Sequence, residues 1–152
     1  MNKLVWSVLI ILTLLVCVIP CHSTALRSEQ IDMYFKKMAF HQQDILVILK
    51  GANSHDTEIG NNISDIIDKC EIHLMYMQSL LTVHSFVKNL SDRKKVKPLI
   101  DKLIKHFATN TGQYIKQVNI GITYTKNQAI LITANKLRDD LRELKELLDN
   151  CD

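Results

Sequence analysis

Apolar residues recur along this chain in steps of four and three, and that spacing leaves little choice of secondary structure. Ile59, Ile63, Ile66, Cys70, His73, Met77, Leu80, His84 and Val87 alternate the two steps without a slip. Side chains so spaced fall on one side of an α-helix, whose period is about 3.6 residues. Ile67, Leu74 and Leu81 widen the stripe to the breadth that a core-facing helix requires. A second series, Ile130, Ala134, Leu137, Leu141, Leu144 and Leu148, repeats the pattern near the C-terminus. There Lys136/Asp140 and Arg142/Glu146 set opposite charges one turn apart on the far face. Ile31, Tyr34, Met38, His41, Ile45 and Ile48 define an earlier helix over Ser28–Lys50, ended by Gly51. Ile100, Leu103, Phe107, Tyr114, Val118 and Gly121 define a third over Pro98–Thr123.

The boundaries follow from local chemistry. Ser54 or Asp56 is expected to cap the second helix, with Gly60-Asn61-Asn62 fraying its start. Asn89–Lys97 is expected to be a break, with Ser91-Asp92 cap-like and Pro98 at a first helical position. Thr109-Asn110-Thr111-Gly112 predicts a kink or short break in the third helix. Thr125-Lys126-Asn127-Gln128 reads as a capping box opening the fourth. Alternation of period two occurs only at Ile120–Tyr124, too short to carry a sheet. The expected fold is all-α: an antiparallel up-down bundle of about four helices with short connections.

The N-terminus has a different character. Met1–Lys3 is a short basic region, Leu4–Ile19 is an uncharged apolar run, and Pro20 is followed by Ser23-Thr24-Ala25. That is the layout of a secretory signal peptide over 1–25, with cleavage after Ala25 and a single bundle domain over 26–152. A retained anchor would need about 20 apolar residues. Lipidation at Cys21 would need small residues before it, where Ile19-Pro20 are bulky and rigid. The expected destination is the periplasm or the outside of the cell, with membrane contact only through the signal segment before cleavage.

Composition narrows the function. The net charge is +3, and removal of Lys3 with the signal leaves it small. Only Arg93-Lys94-Lys95-Val96-Lys97 is locally basic, and it reads as a solvated turn. Few aromatics and no nucleic-acid motif argue against a nucleic-acid partner. No nucleophile elbow, phosphate-cradling Gly loop or zinc-protease motif occurs, so no enzyme is expected. Asp139, Asp140 and Glu143 alternate with Arg138, Arg142 and Lys145 and read as a solvated face.

Cysteine and histidine give the site candidates. Cys17 and Cys21 leave with the signal, and Cys70 and Cys151 remain as a disulfide candidate. An oxidising compartment favours that bridge. The level of the two residues in a plain up-down bundle, about 25 Å apart along the helices, opposes it. His41, His73 and His84 all fall on apolar stripes, with Met75 and Met77 beside His73. Imidazole with thioether can hold copper, which makes His73, Met77 and His84 weak metal candidates. His84 can face His106 across the turn between the second and third helices. The plain alternative is that Met fills core gaps and His sits at the core margin. No c-type haem signature is present, the last helix has no His, and no cofactor is expected. Sequons stand at Asn62 and Asn89. The expected role is an exported, non-enzymatic binding protein that engages a protein partner through a helix face or groove. The alternatives are a helical carrier of an apolar ligand or copper, and a secreted helical signalling factor.

Overall fold

The computed structural model describes residues 26–87 and 90–151. The signal segment expected over 1–25 and the sequon residue Asn89 lie outside the described residues. Four helices follow in order: α1 (Ser28–Leu49), α2 (Ser54–Phe86), α3 (Leu90–Tyr124) and α4 (Gln128–Asp149). No strand occurs among the described residues, and Ile120–Tyr124 is the last turn of α3.

The helix starts correct the expected boundaries. Asn53, not Ser54 or Asp56, caps α2: its extended backbone lets the side-chain oxygen accept from Asp56 N–H at 2.9 Å. Ser54 is already helical and has no such freedom. Gly60 to Asn62 are regular helix, with Gly60 buried close to the Leu49 side chain. Asn127, not Thr125, caps α4, its oxygen accepting from Ala129 N–H and Ile130 N–H. Thr125 instead accepts from Asn127 N–H and donates to Asp56 Oδ1, both at 3.2 Å, tying the α3–α4 link to the start of α2.

Helix α3 is longer than expected and continuous. It begins at Leu90, so Pro98 lies inside it rather than at its start. The bond that Pro98 cannot donate belongs to the carbonyl of Lys94, and both residues are exposed, so water can serve that carbonyl. No break occurs at Thr109–Gly112. The Thr109 and Thr111 hydroxyls donate back to the carbonyls of Lys105 and Phe107 within the unbroken helix. At Gly112, the aliphatic stem of Lys145 on α4 passes 3.4 Å from where a Cβ would stand.

The helices form a ring in which α1 packs on α2 and α4, and α3 packs on the same two from the other side. Side-chain bonds give the register. Ser28 accepts from Gln78, and Gln42 donates to Ser64 and Asp68. His73 meets Asn110, and Asp56 meets Thr125. Lys37 meets Glu143, and His41 meets Asp140. In each pair, numbers on one helix fall as those on the other rise.

The core follows the stripes. Leu74, Met77, Phe107, Leu137, Leu141 and Leu144 are buried as expected. Leu81 and Leu103, expected with them, are only half-buried. The reason is length. Ser28 is level with Gln78, so α1 begins where α2 still has two turns to run. Cys151, just past the C-terminal end of α4 and at this same end of the bundle, lies beside Ile104, Ala108 and Asp101. At 1.5 Å per residue, the end of α2 therefore projects past the start of α1 by about 12 Å and the start of α3 past Cys151 by about 16–21 Å, and two helices cannot enclose what four can.

No disulfide joins the candidate pair Cys70 and Cys151. Cys70 is in the core, one turn before His73 and so level with Tyr114, whereas Cys151 sits against Ile104 and Ala108. Six to ten residues of α3 separate those levels, about 9–15 Å, beyond the ~7 Å that a disulfide tolerates between Cα atoms.

Candidate functional site

The one cluster of imidazoles lying between two of the described helices is centred on His73. Position 73 falls at the edge of the α2 stripe, which turns the ring towards α3. On α3, His106, Asn110 and Tyr114 stand one turn apart on the flank facing it. His73 Nδ1–H donates to the carbonyl of Lys69 at 2.8 Å, so Nε2 carries the lone pair. That lone pair accepts from the Asn110 amide at 3.1 Å, and the same amide nitrogen donates to His106 Nε2 at 3.0 Å. The His73 ring stacks on Phe107, with centroids 5.0 Å apart and planes 12° from parallel. One carboxamide with two N–H donors thus satisfies two imidazoles.

This arrangement only partly matches the expected ligands. Met77 is buried in the core, and His84 lies about three turns from His73, nearer the projecting end of α2. His106 pairs with His73 through Asn110 rather than with His84. Among the described residues no three His, Cys, Asp or Glu side chains converge as a metal site would need. Sequence sets His106 against His84 and reads Asn110 only as part of a kink, although their spacing of four along one helix is the pattern that places two side chains together.

A second polar cluster joins α1 to α4. His41 is only 3% exposed, and its Nε2–H donates to Asp140 Oδ2 at 2.7 Å. Lys37 Nζ reaches Asp140 at 2.5 Å and Glu143 at 2.7 Å, and lies 5.1 Å from the centre of the Tyr34 ring. Burial works against the Lys37 charge, but the two carboxylates outweigh it and raise the ammonium well above its usual range. Burial likewise raises the Tyr34 hydroxyl. His41 Nδ1 is buried without a hydrogen-bond partner. With the ring enclosed, the cluster acts as a clamp between helices.

Among the described residues, three of the openings between helices border candidate surfaces. One of about 420 Å³ runs between α2 and α3, with Ile59, Ile63 and Gly121 below and Glu58, Lys69 and Tyr124 at its edges. Gly121 keeps it open, because a Cβ there would stand 3.4 Å from Ile59. The exposed sequon residue Asn62 borders it. The other two adjoin on the α1–α2 face and share Glu71. One, about 490 Å³, is bordered by Gln42, Leu46 and Val47; the other, about 320 Å³, by Phe35, Ile72 and Met75. Leu46, Val47, Ile72, Met75 and the neighbouring Tyr76 are all exposed. Burial, and then the nearby Asp68, push the Glu71 carboxyl up from its ordinary value.

Comparison with protein-family models, with curated proteins and with solved structures finds no match to this chain.

Proposed function

We propose that this protein is an exported, antiparallel up-down helical bundle without enzymatic activity, which engages a protein partner through its α1–α2 face. One observation carries the reading: Leu46, Val47, Ile72, Met75 and Tyr76 leave apolar surface exposed around two adjoining grooves. Contiguous apolar surface of this kind marks interaction sites on soluble domains. Asp68 and Glu71 border the same depressions, so a helix carrying apolar side chains and Lys or Arg would complement both shape and charge. The opposed numbering of paired residues supports the antiparallel reading. The three-part N-terminus supports export.

A photo-crosslinking side chain placed at Leu46 or Ile72, in the native compartment, tests the reading. The expected result is an adduct of one discrete mass from both positions and none from exposed Arg142 on α4. The same ladder of adducts from all three positions, or no adduct from any, would reject the partner face. A small apolar molecule released on unfolding of the purified protein would favour the carrier instead.

A further inference from the structure

We propose that the projecting tip of α2 and α3 docks on an anionic lipid surface, a contact beyond the protein-partner face described above. Three observations meet at this end of the bundle. First, its apolar side chains are uncovered. Phe86 is 77% exposed, Leu99 58% and Val83 51%, because α1 and α4 do not extend beside them. The register that sets His73 against Asn110 places Leu99 level with the turn of α2 holding Val83, so these two residues lie at one level of the tip.

Second, the turns of α3 beside them are basic. Arg93, Lys94, Lys95 and Lys97 are all exposed there. Asp92 and Asp101 take up Lys95 and Lys97, and Arg93 donates to the carbonyl of Val87, which fixes it at the tip. Third, α1 starts at the base of the projection, so the chain enters the bundle at this same end. An exposed aromatic with aliphatic neighbours, flanked by Lys and Arg, suits the boundary between headgroups and acyl chains. A second copy of the tip suits it poorly, because closing two apolar tips on each other brings two basic clusters together.

Vesicle co-sedimentation tests the inference. The purified protein is mixed with vesicles of phosphatidylcholine alone or of phosphatidylcholine with about a third phosphatidylglycerol. Binding is expected only with the anionic lipid, and it should weaken as salt shortens the Debye length from about 10 Å at 0.1 M to about 3 Å at 1 M. Each basic residue near such a surface contributes about 1 kcal/mol, or about fivefold in partition. Lys94→Glu with Lys95→Glu should therefore lower binding at least about tenfold. Phe86→Ser with Leu99→Ser should also lower it. Lys116→Glu with Lys136→Glu makes the same charge change on exposed residues away from the tip and should have little effect. All variants share one N-terminus, and unchanged circular dichroism melts establish that they fold.

Equal partition of the wild type and the Lys94→Glu/Lys95→Glu variant overturns the proposal, as does equal binding to both vesicle types. Self-association without vesicles that Phe86→Ser abolishes would assign the tip to a second copy and also overturn it. None of these outcomes touches the α1–α2 face, whose crosslinks stand or fall separately.

Discussion

Asp140 stands in a run of alternating charges that reads as a solvated face, yet it holds two side chains of another helix. His41 and Lys37 both bind it across the α1–α4 seam. No spacing along one helix can reveal a partner 99 positions away, and for that reason this clamp and the His73–Asn110–His106 cluster were not legible in the sequence. Asp140→Ala should cost about 1–3 kcal/mol, because it strips the partner from a buried imidazole and leaves Lys37 with Glu143 alone. Urea unfolding of wild type and variant measures this; a change within about 0.5 kcal/mol, the range of an ordinary surface substitution, would reject the clamp. The cysteines give a second test at this scale. Burial, and then Glu71, push the Cys70 thiol up to about 12, so it is a poor nucleophile in the folded protein. A thiol-specific chromophore should label Cys151 rapidly and Cys70 only in denaturant. Rapid native labelling of both would show that Cys70 is not in the core.

At the scale of the helix, the apolar stripes were legible because burial obeys the period, and the ends were legible only to within a residue or two. Ser54 and Asn53 are both good caps, as are Thr125 and Asn127, and propensity cannot choose between neighbours of equal merit. Tertiary packing chooses: Thr125 is drawn to Asp56 on α2, and Asn127 is left to close the helix. Helix α3 departs from its local propensities for a related reason. Pro98 and Gly112 are helix breakers by propensity, but one sits where water serves its turn and the other where Lys145 passes close. Asn127→Ala should lower stability by about 0.5–2 kcal/mol, the usual loss for a removed cap. Ser54→Ala should change it by no more than about 0.5 kcal/mol, since Ser54 is not the cap. Equal losses, measured as shifts in the denaturation midpoint, would return the cap of α2 to Ser54.

Across the whole molecule, five groups share one direction of shift, and all but Glu71 titrate in the alkaline range. Burial raises Cys70, Tyr34 and Tyr114, and carboxylates raise Lys37. A group raised on folding contributes stability that is complete below its unfolded pKa and is lost as pH climbs through the folded one. With unfolded values of 9.0 for the thiol, 10.0 for the phenols and 10.5 for the ammonium, the protein should lose stability progressively above about pH 9. Thermal melts from pH 7 to 11 measure this, and Cys70→Val should remove the earliest part of the decline. A flat profile across that range would contradict the buried setting of these groups.

The overhanging tip also divides the chain into two helix pairs, α1–α2 and α3–α4, joined only where four-helix packing has ended. Elements with few buried neighbours open at lower free energy than the body they extend from. Trypsin should therefore cut first among Arg93, Lys94 and Lys95, while the lysines of the four-helix body resist. The two fragments should then remain together, because the seams between α2 and α3 and between α1 and α4 hold through the core rather than through the link. The nicked product should elute as one species on a sizing column and part only in denaturant. The bundle would then behave as a heterodimer of its own halves, able to reassemble from two separately made chains.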